Sequence, residues 1–258
     1  MPLFAASDMH GHRAEFREAL RDAGLIDAAG DWSGADARLW LLGDYFDRGP
    51  DGVGVIDDIR RLAGQAPASG GEVHALLGNH EAQLLAAYRF GHTVTAQDWD
   101  FYDAWVRYGG QESDIRRLTP EHVEWLLRLP ATALVDDHLL VHSDTTNYLA
   151  FGDSVATVNA MVTDYLNTDD PEAFLYFCGM ISGRASFRTG DEVERMFATF
   201  GGSRLVHGHS TLISQFGVRP DDVRTALSYS DDRVLAVDGG VFEGGRVLVT
   251  PLPFPAQS

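Results

Sequence analysis

The chain has 258 residues, 45% of them hydrophobic and 22% charged, with a formal net charge of −18. Such a balance fits a globular protein with a sizeable core, built as one large α/β domain or two small ones. The charge argues against sequence-independent binding to nucleic acid or anionic membranes, which need basic surface. It leaves an anionic substrate open, because bound cations invert a local field. No apolar run approaches the roughly 18 residues of a membrane span, and no basic stretch followed by an apolar one marks a signal peptide. The single cysteine, Cys178, permits no intrachain disulfide. It reads as a small buried apolar side chain and fits a reducing cytoplasm.

In chain order, one pattern occurs three times. A short apolar strand ends in a polar, glycine-containing turn, and a helix follows. The strands are Leu3 to Ser7, Arg38 to Leu42 and Val73 to Leu77. Their turns are Asp8-Met9-His10-Gly11, Gly43-Asp44-Tyr45-Phe46-Asp47-Arg48-Gly49-Pro50 and Gly78-Asn79-His80-Glu81. Nearly continuous apolar strands alternating with helices predict a mostly parallel sheet, with functional groups gathered at the strands' carboxyl ends.

Residues 97–128 read as a helical insertion rich in aromatics. Phe101, Trp105 and Tyr108 recur at helical spacing and are expected to pack it onto the body, in preference to stacking on a substrate. A hairpin is predicted from Ala131 to Val135 and His138 to His142, and helix over 153–178. Arg204 to Val206 reads as a strand leading into His207-Gly208-His209-Ser210. Val234 to Asp238 and Arg246 to Pro251 read as a closing hairpin around Glu243-Gly244-Gly245. No repeat or linker interrupts the chain, so residues 1–258 are expected to form one domain.

Five segments each offer a hard oxygen or an imidazole nitrogen at a strand end: Asp8 with His10, then Asp44, Asn79, His142 and His209. Asp8 and His10 are two apart, and in an extended segment their side chains would face the same way. The mixed oxygen and nitrogen set suits Mn, Fe or Zn better than Ca.

These stretches, with Ala236-Val237-Asp238-Gly239-Gly240, resemble the calcineurin-like metallophosphoesterases. Within them the chain resembles the PPP-type phosphatases, especially the bacterial and Shewanella-like branches. The resemblance implies a two-sheet α/β/β/α sandwich and two divalent ions, with Mn preferred and Fe, Zn or Co possible. It gives the first ion to Asp8, His10 and Asp44, and the second to Asp44, Asn79, His142 and His209. Asp44 then bridges ions that in such sites lie about 3.5–4 Å apart. A water bridging the ions would attack phosphorus directly. His80 would protonate the leaving group, Asp47 would orient His80, and Arg48 would grip phosphate oxygens. A salt bridge to a neighbouring carboxylate is the structural alternative for Arg48.

Three departures from the family pattern stand out. Thr211 replaces the second histidine of a Gly-His-x-His ending, as in the PPP type. His207 is extra and reads as a buried strand or supporting residue. Ser143-Asp144 stands where small residues are usual, so Asp144 could add negative charge near the metals or bind a substrate group. The PPP type also uses a second phosphate-binding arginine, for which Arg184 is the candidate and Arg188 the reserve. Glu81 is expected to favour the start of the helix that follows it. The implied substrate is a phosphoprotein, bearing phosphoserine or phosphothreonine, or a small phosphoester. The rival readings are a dinucleoside tetraphosphate hydrolase and a metal-binding scaffold without activity.

Overall fold

A computed structural model describes residues 1–254. The first strands, β1 (Leu3–Ala6), β2 (Arg38–Leu41) and β3 (Glu72–Ala75), are parallel. With β9 (Thr250–Leu252) they form a four-stranded sheet in the order β3-β2-β1-β9. The second sheet has the order β4-β5-β6-β8-β7. Its strands are β4 (Thr132–Val135), β5 (His138–Val141), β6 (Arg204–His207), β7 (Leu227–Tyr229) and β8 (Val234–Ala236). Here β5, β6 and β8 are parallel, while β4 and β7 pair antiparallel at the edges.

Alternation along the strands divides the core. Leu3 and Ala5 point into one cluster with Ala133, Leu140, Val206, Leu235 and Leu252, drawn from both sheets. That cluster is the seam where the sheets meet face to face. Ala6, Leu39 and Leu41 instead join the larger cluster with helix residues such as Phe16 and Ile59. The result is an α/β/β/α sandwich. Helices α1 (Arg13–Asp22) and α2 (Gly52–Gln65) follow the first two strands. They are tied together by Asp58, whose carboxylate accepts from Arg13 Nε at 2.8 Å and Arg17 Nε at 2.6 Å. Helix α3 (Asn79–Phe90) follows β3.

Residues 97–128 contain three short helices, α4 (Phe101–Arg107), α5 (Glu112–Arg117) and α6 (Pro120–Leu126). The helix expected over 153–178 is two helices, α7 (Val155–Asn167) and α8 (Pro171–Ile181). Proline has no N–H to donate inside a helix but suits its first turn. Pro171 accordingly opens α8 behind the cap Asp170, which accepts from Glu172 N at 2.9 Å. Helix α9 (Gly190–Phe200) leads into β6.

The predicted closing hairpin does not form. Strand β8 has β6 on one side and β7 on the other, so no edge is free for the last strand. The chain crosses instead to the other sheet, where β9 pairs antiparallel with β1, Leu3 opposite Leu252. The three-residue β7, half-buried throughout, has no strand pattern that its sequence betrays. Among the described residues no helix is long and apolar enough to cross a membrane.

Candidate metal centre

The carboxyl ends of β1, β2, β3, β5 and β6 bring Asp8, His10, Asp44, Asn79, His142 and His209 together. Backbone pairs hold the first two loops, with Asp8 N bonded to Gly43 O at 3.0 Å and His10 N to Asp44 O at 2.9 Å. Side chains bridge the sheets. His142 Nδ1 donates to Leu42 O at 2.9 Å, and Asp8 Oδ2 accepts from His209 N at 2.9 Å. Gly43 is obligatory here. Its φ is 110°, and a Cβ would lie 2.6 Å from Gly78 Cα and 2.8 Å from His142 Nδ1.

Asp8 and His10 do not converge as an extended segment would make them. Their φ values are 56° and 43°, so left-handed backbone, not strand alternation, turns both inward. Asp44, Asp47, Arg48 and His209 also have positive φ, between 56° and 70°. Non-glycine residues avoid that region unless the surroundings impose it, and such strain collects at functional sites.

The Asp44 carboxylate faces two ways. Oδ2 lies 3.6 Å from His10 Nε2, and Oδ1 lies 3.2 Å from His142 Nε2. Two groups with metal-holding spacing share it: His10, Asp44 and His80, and Asp44, His142 and His209. His10 and His142 each commit one ring nitrogen to a backbone carbonyl, Phe46 O and Leu42 O, and turn the other inward. That is how metal-binding histidines are oriented. Asp8 Oδ1 and His209 Nδ1 are buried without a hydrogen-bond partner. Unpaired buried polar atoms are costly, so this donor set fits divalent cations. Asn79 Oδ1 lies 2.9 Å from His142 Nε2.

Electrostatics agree. Burial pushes His10 and His209 well below the ordinary histidine range, keeping them neutral as ligation requires. Burial works to raise Asp44, but the charges of His142 and His80 outweigh it and hold it well below the usual carboxylate range. Against burial, the Asp44 charge lifts His142 to about 9.

His80 Nδ1 lies 2.6 Å from Asp47 Oδ2, and its Nε2 faces the cavity 3.3 Å from an Arg48 nitrogen. Burial alone would lower the His80 pKa, but Asp44 and Asp47 raise it. Arg48 pairs with no carboxylate among the described residues; its guanidinium lies 3.8 Å above the Phe242 ring. Arg184 bonds to His209 O and reaches Ser210 Oγ at 3.4 Å, and it lines the same cavity as Arg48 and His80. Arg188 does not line it, being bonded to Gln215 O and stacked on Phe216.

The chain matches the family model for calcineurin-like phosphoesterases over residues 1–211. It belongs to that family. A Shewanella-like protein phosphatase 2 from Arabidopsis thaliana is 28% identical over 110 residues, 42% of this chain and 28% of that protein. A symmetrical bis(5'-nucleosyl)-tetraphosphatase from Pectobacterium carotovorum is 28% identical over 222 residues, 80% of this chain and 68% of that protein. The chain thus spans well under a third of the plant relative's length. A crystal structure of a cold-active protein-tyrosine phosphatase from a psychrophilic Shewanella shares the fold, with TM-score 0.71 and 22% identity. That match covers 96% of this chain and 74% of the other.

The departures from the family pattern are tied into the structure. Asp144 is fully buried and so presents no surface to a substrate group. Its oxygens accept from Ala185 N at 2.8 Å and Ser210 Oγ at 2.6 Å, clamping the Arg184 loop to the His209 loop. His207 is buried against Gly208 O and Tyr229 Oη, at 2.7 Å each, and faces no ligand group. Thr211 Oγ1 donates to Glu243 at 3.0 Å.

Four contributors escaped the sequence reading in whole or part. Trp105 packs as expected but also donates Nε1–H to Asp47 Oδ1 at 2.8 Å. Glu81 does cap α3 through Gly78 N, and it also accepts from Asp44 N at 2.8 Å and Tyr45 N at 2.7 Å. Burial, then the Asp44 charge, pushes Glu81 up to about 7. Phe242 sits under Arg48 and edge-on to His10. Asp238, with a buried unpaired Oδ2, follows β8 as Asp8 follows β1, so the strand-end rule could have found it.

Proposed function

We propose that this phosphoesterase hydrolyses phosphomonoesters, phosphoproteins foremost, at a two-ion centre. The observation that carries the reading is the two-way Asp44 carboxylate, with one oxygen toward His10 and the other toward His142. Asp8, His10 and Asp44 would hold one ion, and Asp44, Asn79, His142 and His209 the other, with manganese the preferred metal. The ions would supply positive charge at the phosphoryl oxygens and acidify the attacking water.

The protein's own groups would do the rest. Arg48 and Arg184, which line the same cavity, would hold phosphoryl oxygens, a task suited to planar guanidinium groups. His80 Nε2 would hold the proton that the leaving oxygen needs. Asp47 would keep the ring turned toward that oxygen, because its bond to Nδ1 fixes both tautomer and orientation. In this reading the attacking group is water, and no covalent phosphoenzyme forms.

A second reading, dinucleoside tetraphosphate hydrolysis, has the 222-residue likeness to the Pectobacterium protein in its favour. A comparison of kcat/KM on a phosphothreonine peptide and on diadenosine tetraphosphate, with Mn-loaded protein and Asp44→Asn as control, separates the two. Preference for the peptide is expected. Preference for the dinucleotide overturns the protein-directed reading, and metal binding without turnover of either would leave a scaffold.

A further inference from the structure

The two arginines of the cavity are held in different ways. Arg184 is fixed by hydrogen bonds to His209 O and Ser210 Oγ. Arg48 is fixed only at its base, where its N donates to Gly109 O at 2.7 Å and a Cβ on Gly109 would lie 2.7 Å from Arg48 Cγ. Its guanidinium reaches His80 Nε2 at 3.3 Å and has no carboxylate partner among the described residues. A long side chain of this kind has much rotamer freedom to lose when it grips an anion. The restraint at its far end is Phe242, whose ring centroid lies 3.8 Å from Arg48 Cζ. Stacking engages the face of the guanidinium and leaves the N–H groups on its edge free. A carboxylate would occupy two of those groups and cancel the charge. Phe242 is not among the described residues that line the cavity, so it backs Arg48 and does not face a substrate.

Phe242 is itself held. It stands in a tight turn between β8 and β9, where Glu243 N and Gly245 N both donate to Gly240 O at 2.9 Å. Its neighbour Glu243 ties that turn to the chain just past His209. Glu243 Oε2 accepts from Thr211 Oγ1 at 3.0 Å, and Oε1 accepts from Ser214 Oγ at 2.8 Å. Thr211 occupies the position of the second histidine in the wider family pattern. A side chain that would there face a metal is here committed to the turn that carries Phe242. One line of contacts thus runs from Thr211 through Glu243 and Phe242 to Arg48.

We propose that Phe242 is a positioning residue for Arg48, setting the guanidinium plane so that its N–H edge meets the phosphoryl group, and that Glu243 holds Phe242 in place through Thr211 and Ser214. The proposal rests on reading Arg48 as the phosphate grip and adds what makes that grip rigid. It has a sharp consequence. Phe242 acts through Arg48, so its removal matters only while Arg48 is present. The ring also lies edge-on to His10, with centroids 5.0 Å apart. An effect exerted through His10 would show as lost metal, and one exerted through Arg48 as weakened phosphate binding at full metal content.

The test is a double-mutant cycle on the Mn-loaded full chain, with Phe242→Leu, Arg48→Ala and the two together. The readouts are affinity for inorganic phosphate by calorimetry, kcat/KM on a phosphothreonine peptide, and manganese content. Phe242→Leu keeps apolar bulk and removes the ring face. It should weaken phosphate binding and lower kcat/KM by about five- to tenfold, the scale of a partly desolvated cation–π contact. In the Arg48→Ala background the same substitution should change neither. Phe242→Tyr restores the ring and should bind phosphate as the wild type does. An equal loss in both backgrounds overturns the proposal, because general loosening of the turn does not need Arg48. Unchanged phosphate affinity in Phe242→Leu, or a loss traced to missing manganese, overturns it as well. If Phe242→Leu does not fold, Glu243→Ala takes its place in the cycle: a loss confined to chains with Arg48 supports the proposal, and any other pattern overturns it. Wild-type phosphate affinity in Arg48→Ala removes the arginine grip and the positioning with it. No turnover of the peptide overturns the phosphomonoesterase reading alone, and phosphate affinity then still decides the role of Phe242.

Discussion

Trp105 donates its indole N–H to Asp47 Oδ1 at 2.8 Å, while the other oxygen of Asp47 holds His80. A fully buried carboxylate is thus bonded on both oxygens, and burial still lifts its pKa. Trp105→Phe keeps the ring packing and removes one donor. A hydrogen bond to a charged group is worth about 1.5–3 kcal/mol, so turnover should fall about tenfold or more. Steady-state kinetics beside a thermal melt checks this. A melt that collapses with kcat intact would make the contact purely structural.

Asp44→Asn should strip metal from both halves of the centre, since one carboxylate serves His10 on one side and His142 on the other. Metal analysis of protein purified in manganese is the readout. Retention of a full complement, or ordinary turnover, would refute the bridging role.

His80→Asn should lower turnover by about 10²-fold or more, the contribution of a positioned general acid. Metal content should stay at the wild-type level. His80 also stands within ligand range of His10 and Asp44, so loss of an ion in this variant would reassign it as a ligand.

Away from the centre, Asp58 gives a pH prediction. It is buried between Arg13 and Arg17, and although burial opposes ionisation, their hydrogen bonds and charges lower its pKa to about 2. The folded pKa is therefore below the unfolded one. Asp58 stabilises the fold above about pH 4, and the contribution disappears as pH falls toward 2. Asp58→Asn should cost about 2 kcal/mol at pH 7. Urea titrations of both proteins at pH 7 and near pH 2 should show the gap closing with acid; a constant gap would contradict the linkage.

The strand-turn-helix pattern made β1, β2 and β3 legible, because strands covered on both faces write continuous apolar runs. The ligand-type residues were legible for a related reason: open α/β sheets display side chains at strand ends. How those residues turn inward was not. Asp8 and His10 look like an extended pair, and only the fold imposes positive φ on both. Long-range partners were hidden in the same way. Nothing near Trp105 in sequence announces Asp47, 58 positions away, and nothing near Glu81 announces Tyr45. The final crossing from β8 to β9 was misread because local turn residues suggest a hairpin. Which strand edges are free is a property of the assembled sheets.

The pairing of Thr250–Leu252 with Leu3–Ala5 also bears on how the protein is made. The strand that precedes Asp8 and His10 leaves the ribosome long before its antiparallel neighbour. His142 and His209 emerge in between, on a separate sheet. No nascent fragment short of His209 carries the whole proposed ligand set. Contacts this distant along the chain make folding slow. Assembly of these residues around one point is therefore a late event, and a chain stalled midway has strand edges open to aggregation.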